Sequence, residues 1–354
     1  MRIAEVLTAS TGGIGRHVAS LAPRLAALGH DVTVYCPGST AAAHDFGAGA
    51  VRPLRDLRQL RDVDVVHAHG YKAAALVLPW TRCFRIPLVV TWHNAVLAGG
   101  WPGQAGRLLQ SVVARGADLT LGASEDLVRA ARAHGARRAR LAPVAAPRLP
   151  APVVPRQQYR AALGLPADAL VVVTVGRLAP QKNLAMVLDV AAAMRDHPRL
   201  HFLLAGEGPL RDELTERIRV DGSRVRLLGA VADMASLLAA ADVMLLTSFW
   251  EARALVAQEA LLAGVPLVST RVGGIEELVG EAAVLVEVGD VPAVVAALEE
   301  AGDHPERWAE RREAGRRRAR SWPDEDEVAR DLAASYTELS RGAAGRSTTR
   351  GQPT

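Results

Sequence analysis

Along most of the chain, short runs of β-branched and aliphatic residues alternate with segments whose apolar positions recur at helical spacing. Ile3–Leu7 is the first such run and Asp31–Tyr35 the second. Between them Ile14, Val18, Leu21, Leu25 and Leu28 fall at i, i+4, i+7, i+11 and i+14, which predicts a helix from about Gly15 to Leu28 with Gly29 as its stop. Further strands are predicted at Val63–His67, Leu88–Trp92 and Leu119–Gly122. Strand, crossing helix and strand in repeated succession give a parallel sheet covered on both faces.

Five prolines between Pro143 and Pro155 then interrupt a stretch with no apolar period, the composition of a semi-rigid connector. Beyond it the alternation restarts. Strands are predicted at Val171–Val175, Phe202–Ala205, Val225–Leu228, Val243–Leu246 and Leu267–Ser269, with helices from Asn183, Pro209 and about Ala254. The expected fold is α/β, two doubly wound Rossmann-like domains facing across a cleft. Their expected limits are 1–150 and 156–320, followed by a helix over 321–340 that packs back on the first domain and a polar, disordered tail over 341–354. Pro305–Arg320 reads as a solvated helix with interleaved opposite charges.

A chain of 354 residues exceeds what one hydrophobic core usually organises, in line with two domains. Hydrophobic residues make up 49% and aromatics only 4%, so the cores must be mainly aliphatic. The 42 Lys and Arg against 38 Asp and Glu leave +4, compatible with anionic substrates or membrane surfaces but establishing neither. Cys36 and Cys83 fit neither a metal-ligand spacing nor a disulfide framework; both are expected as reduced core residues, and zinc is not expected. The first residues lack the apolar length of a signal peptide and no later run reaches a membrane span. A cytoplasmic protein is expected, with peripheral attachment at the inner membrane face as an alternative. For that alternative, Arg107 and Arg115 flank Leu108, Leu109, Val112 and Val113, and Arg129–Arg140 is basic; the same apolar residues also fit an ordinary core-facing stripe. No motif favours nucleic acid.

Candidate chemistry sits where strands hand over to helices. The first such turn, Ser10-Thr11-Gly12-Gly13-Ile14-Gly15, can offer backbone N–H groups and a helix dipole to a phosphate, or can be no more than a tight turn. It lacks the full G-x-G-x-x-G, and Val34-Tyr35-Cys36 ends the second strand without the acidic residue that holds a dinucleotide ribose, which disfavours a dehydrogenase. In the second domain Arg177 and Lys182 stand five residues apart just beyond a buried strand, where both can point at one anionic ligand such as a diphosphate, or can be surface cations on a loop. Glu251 precedes a helix start and Glu259 lies one to two turns inside it. Either carboxylate can accept two hydrogen bonds from a vicinal diol, and either can be solvated surface. Asp62-Val63-Asp64 superficially matches a metal-binding D-x-D but falls at a strand start, the wrong end for a ligand, and is read as a turn.

In order and spacing these pieces resemble the GT-B fold retaining glycosyltransferases of family 4 type, the group 1 glycosyltransferases. The resemblance runs through Gly12-Gly13, Gly29-His30-Asp31-Val32, Asp64-Val65-Val66-His67-Ala68-His69, Thr91-Trp92-His93-Asn94 and Gly176-Arg177-Leu178…Lys182-Asn183. It continues through Ala205-Gly206-Glu207-Gly208-Pro209-Leu210, the Glu251/Glu259 pair, Ala263-Gly264-Val265-Pro266 and Val272-Gly273-Gly274-Ile275-Glu276-Glu277-Leu278-Val279, covering nearly the whole chain. It implies transfer of a hexose-type sugar from a nucleotide-diphosphate sugar to an acceptor hydroxyl, with no cofactor and no metal. Arg177 and Lys182 would bind the diphosphate, with Gly12 and Gly13 offering backbone N–H groups. Glu259 would hold the ribose, Glu251 the transferred sugar, Val231 and Leu255 would line the donor site, and His93 would face the sugar or be a core histidine. His67 and His69 are expected to be structural, one buried and one at the rim. The acceptor, whether small molecule, glycan or lipid, is not legible.

Ala252, Arg253 and Ala254 depart from the family, which more usually has Gly, Phe and Gly or Pro there. Arg253 is expected either to meet an anionic group on donor or acceptor or to pair with a neighbouring carboxylate. Two other classes of activity fit the same architecture: a non-catalytic nucleotide-sugar-binding protein, and a sugar-nucleotide epimerase or phosphorylase.

Overall fold

The structure is a computed structural model that describes residues 1–348 apart from residues 11, 48 and 96–99. Two compact units divide the chain, one formed by Met1–Pro147 together with the segment from Pro323 onward, the other by Arg148–Trp322.

The first unit is built on β1 (Arg2–Leu7), β2 (Asp31–Tyr35), β3 (Ala50–Arg52), β4 (Val65–His69), β5 (Leu88–Trp92), β6 (Leu119–Gly122) and β7 (Ala139–Leu141), in the order β3-β2-β1-β4-β5-β6-β7. Every pairing is parallel. Strand order reverses between β1 and β4, so their carboxyl ends frame the crevice where such sheets take ligands. β4 starts two residues later than predicted because Asp64 is used elsewhere: its carboxylate accepts the Arg2 N–H at 2.8 Å, closing the amino end of β1. The turn expected at Asp62–Asp64 therefore lies outside the strand.

Helix Gly13–Ala27 buries Val18, Leu21 and Leu25 as the periodicity requires, but Leu28 caps its end and is exposed. On the same core lies the helix Glu325–Thr348, whose Val328, Ala329, Leu332, Ala333, Tyr336 and Leu339 form one stripe against residues such as Ile3, Leu7 and Leu21. That helix continues through 341–348, where a disordered tail was expected; residues 349–354 of that tail lie outside the described residues.

The second unit carries β8 (Leu170–Val175), β9 (Leu200–Ala205), β10 (Val225–Gly229), β11 (Val243–Leu246), β12 (Leu267–Thr270) and β13 (Ala283–Val286), ordered β10-β9-β8-β11-β12-β13 and again parallel throughout. Its switch point falls between β8 and β11. Two expectations need correction. Cys36 is buried but Cys83 is exposed, at the end of helix Tyr71–Phe84. Helix Pro305–Ala319 is charged as expected, yet it docks through Trp308, Gly315 and Ala319.

Candidate active site

At the switch point of the second unit, the loop after β8 rests on the loop after β9. Leu178 N–H donates to Glu207 O at 2.9 Å, and Leu178 O accepts from Leu210 N at 3.0 Å. A Cβ on Gly206 would stand 1.9 Å from Gly176 O, so the backbones can approach this closely only with glycine there. Burial of Leu178 turns its neighbour Arg177 outward. Among the described residues, nothing pairs with the exposed Arg177 guanidinium.

A second set of bonds ties this loop to the one after β11. Gln181 Nε2 donates to Trp250 O and Phe249 N to Gln181 O, each at 2.9 Å, while Thr247 Oγ1 donates to Lys182 O at 3.0 Å. These ties bring Lys182 Nζ to 2.5 Å from Glu251 Oε1, an oxygen that also accepts from Ser248 Oγ at 2.6 Å. Glu251 Oε2 makes no hydrogen bond to the described residues. The pair is poorly hydrated, with side-chain exposure of 21% for Lys182 and 10% for Glu251, so the bond is stronger than a surface ion pair. Gly273, at φ +52°, underlies the loop: a Cβ there would lie 2.0 Å from Glu251 O, which accepts from Gly274 N at 2.9 Å.

Helix Leu255–Ala263 follows, with Leu255 buried in its first turn and Glu259 fully buried on its inner side. Val231, beyond β10, is half-buried against the core of the second unit. Arg253 lies 5.7 Å from the centre of the Trp322 ring, and burial lowers its pKa to about 10 against the opposing field of Glu277. Arg253 thus packs on an aromatic ring within the field of a carboxylate. Ala254 has φ −59°, open to any residue, so the missing glycine costs the backbone nothing at this position.

In the first unit Gly12 and Gly13 are exposed at the start of helix Gly13–Ala27, whose first turn carries no acidic residue. Behind them lies a polar cluster. His67 and His69 do not divide between interior and rim as expected: residues two apart on a strand share a face, and both are buried with ring centres 4.1 Å apart. His69 Nε2 lies 2.7 Å from Glu5 Oε2, and His69 Nδ1 lies 3.1 Å from His93 Nε2. His67 bonds Tyr336 Oη at 2.6 Å and Thr91 Oγ1 at 2.7 Å. His17 adds a fourth ring, 5.6 Å from that of His93.

Burial would raise the Glu5 carboxyl, but His67 and His69 outweigh it and hold it well below the carboxylate range. Burial, reinforced by the neighbouring imidazoles, pushes His69 down to about 4 and His17 to about 3, and takes His93 well below its ordinary value. One ligand atom each from Glu5, His67 and His69 come within 4.8 Å of one another, but here the carboxylate is already occupied by hydrogen bonds. Glu5, His17 and Tyr336 were not singled out from the sequence. For Glu5 a signal existed, a lone carboxylate inside the apolar run Ile3–Leu7.

Two families match consecutive parts of the chain, the Glycosyl transferase 4-like domain over residues 12–147 and Glycosyl transferases group 1 over residues 169–303. Glycogen synthase of Mycobacterium tuberculosis is 32% identical over 394 aligned positions, which cover 94% of this chain and 92% of that protein. D-inositol 3-phosphate glycosyltransferase of Mycobacterium bovis is 32% identical over 65% of this chain and 51% of its own length. Among solved structures, HepE of Anabaena in complex with UDP-glucose superposes with a TM-score of 0.83 at 21% identity, covering 96% of this chain and all of that one.

Proposed function

The chain belongs to the group 1 glycosyl transferases and is a glycosyltransferase of the GT-B fold, and we propose that it moves a hexose-type sugar from a nucleotide-diphosphate sugar to an acceptor hydroxyl with retention of configuration. The observation that carries the reading is the Lys182–Glu251 pair beside the unpaired Arg177 at the switch point of the second unit. Arg177 and Lys182 take the diphosphate. Glu259, buried on its helix, takes the ribose hydroxyls, Glu251 Oε2 takes a sugar hydroxyl, and Val231 and Leu255 line the donor site. For Gly12 and Gly13 the proposed role is to offer backbone N–H groups to the donor, and for His93 to offer its imidazole.

As the sugar–phosphate bond breaks, negative charge grows on the departing diphosphate. Two cations and the N–H groups opening helix Leu255–Ala263 stabilise it more in the transition state than in the ground state. That charge requires no metal ion. Attack on the same face, with the leaving phosphate accepting the acceptor proton, gives retention without a protein nucleophile. HepE is recorded with UDP-glucose, so uridine diphosphate sugars are the first donors to try. The test is NMR of the product with nucleotide release followed in parallel: release that depends on acceptor, and a product keeping the donor's anomeric configuration, are expected. Release without any acceptor, or an inverted product, would sink the proposal.

A peripheral membrane contact has one observation in its favour. On helix Gly100–Gly116, Val113 is buried but Leu108 and Val112 are exposed on one face, with exposed Arg107 and Arg115 beside them. No described helix is long and apolar enough to cross a membrane. Co-sedimentation with anionic vesicles that weakens at high salt is expected; no binding at low salt would end this reading.

A further inference from the structure

In the polar cluster of the first unit, the run of bonds from Glu5 through His69 sets which nitrogen of His93 carries a proton, and that placement dictates what His93 can bind. An ionised carboxylate can only accept, so His69 Nε2, 2.7 Å from Glu5 Oε2, carries a proton. Glu5 Oε1 accepts from Tyr336 O–H at 3.2 Å. Because buried His69 is neutral, its Nδ1 is bare and accepts, which makes His93 Nε2, at 3.1 Å, the donor. The second branch agrees. His67 Nδ1 lies 3.2 Å from Glu5 Oε2 and so carries a proton, which it shares between that carboxylate and the oxygen of Tyr336, whose own proton goes to Glu5; His67 Nε2 then accepts from Thr91 Oγ1–H. His69 is the only hydrogen-bond partner of His93 among the described residues, so Nδ1 of His93 is left as a lone pair.

We infer that Glu5, His69 and Tyr336 are positioning residues that lock His93 as the Nε2–H tautomer, so that its Nδ1 takes a hydroxyl of the ligand and rejects a phosphate or carboxylate oxygen. Assigning that hydroxyl to a sugar rests on the proposed function; the tautomer does not. Tyr336 reaches Glu5 across 331 positions, so the C-terminal helix is part of the device.

The device has a polarity, and Glu5→Gln reverses it. Tyr336 O–H pins the amide oxygen at the former Oε1, so the amide NH2 stands at the former Oε2 and donates to His69 Nε2, while His67, whose Nδ1 lies 3.2 Å from the same position, moves its proton to the Nε2 that faces Thr91 Oγ1. His69 must then carry its proton on Nδ1 and donate to His93 Nε2, and His93 becomes the Nδ1–H tautomer, a donor. The experiment is long-range ¹H–¹⁵N NMR of histidine-labelled full-length protein near neutral pH, with the His93 signals assigned through His93→Gln. Expected are a neutral, Nε2-protonated His93 in the wild type, its tautomeric reversal in Glu5→Gln, and a fall of about tenfold or more in kcat/KM for the folded variant. A wild-type His93 that is cationic or protonated on Nδ1 overturns the inference, as does an unchanged tautomer in folded Glu5→Gln. The wild-type spectrum decides even if the variant fails to fold. Since it needs no substrate, a failed transferase assay and a failed tautomer are distinguishable results.

Discussion

Replacing Lys182 by Met should separate the catalytic from the structural role of the Lys182–Glu251 pair. The change keeps an unbranched side chain one atom shorter but strands a carboxylate that is 10% exposed with only Ser248 Oγ as partner. Breaking a fully buried pair costs about 3–5 kcal/mol and a surface pair about 0–1 kcal/mol. Partial exposure of the lysine and the retained serine bond place this one near 2 kcal/mol, or a Tm lower by about 4–8 °C for a unit of this size. If Lys182 stabilises the departing diphosphate, turnover falls much further than stability explains, by about 10²–10³-fold. Adding Glu251→Gln removes the stranded charge, so the double variant should regain at least about 1 kcal/mol while remaining inactive. Thermal melts and nucleotide-release kinetics on wild type, both single variants and the double variant complete the cycle. Additive stabilities within about 0.5 kcal/mol would show that Lys182 and Glu251 are not coupled, and a Lys182→Met enzyme within about threefold of wild type would show that the lysine does not stabilise the diphosphate.

Gly273→Ala forces a side chain into a left-handed position and against Glu251 O, so a loss of about 1–3 kcal/mol and at least about tenfold in kcat/KM is expected; melts and kinetics matching wild type would show the loop yields freely. Arg253→Ala should lower the Tm by a few degrees, because a stacked guanidinium contributes about 0.5–1 kcal/mol or more when desolvated, and should leave the donor KM within about threefold; a large rise in KM would instead put Arg253 on the ligand. Acid should destabilise the protein before carboxylates titrate. His17 and His69 are neutral when folded, with values depressed to about 3 and about 4, so below about 6.5 the unfolded chain binds protons that the folded chain refuses. Stability present above that pH is lost as pH falls toward 4, by roughly 3 kcal/mol for a fully realised shift of this size, and the depressed Glu5 adds loss of the same sign at lower pH. Urea midpoints measured at about pH 7.5 and about pH 5 check this, and equal midpoints would contradict it.

The two parallel sheets were legible because their central strands are apolar on both faces and their turns carry glycine or proline. The edge strands β3, β7 and β13, three to four residues each, are too short for a period to show. Arg177, Lys182 and Glu251 could be singled out because a cation or carboxylate next to a strand end is a local feature. What holds them is not local. Gln181 stitches two loops 69 positions apart using only its amide and backbone oxygen, groups that any glutamine has. The histidine cluster was half read. His67, His69 and His93 stand out in the sequence and His17 does not; the shared face of His67 and His69 follows from the strand period, and Tyr336 joins them only because the last helix folds back on the first sheet. Arg253 was noticed as a departure, while the Trp322 ring that receives it lies 69 positions on.

If this chain grips a nucleotide-diphosphate sugar through Arg177, Lys182, Glu251 and Glu259, removing any one of them weakens donor binding. Calorimetric titration of the purified protein with uridine diphosphate sugars, repeated on Arg177→Ala, Lys182→Met and Glu259→Gln, tests it most directly. Binding to the wild type that weakens by about tenfold or more in each folded variant is the predicted result. Binding of equal strength in all three would show that these side chains do not hold the donor.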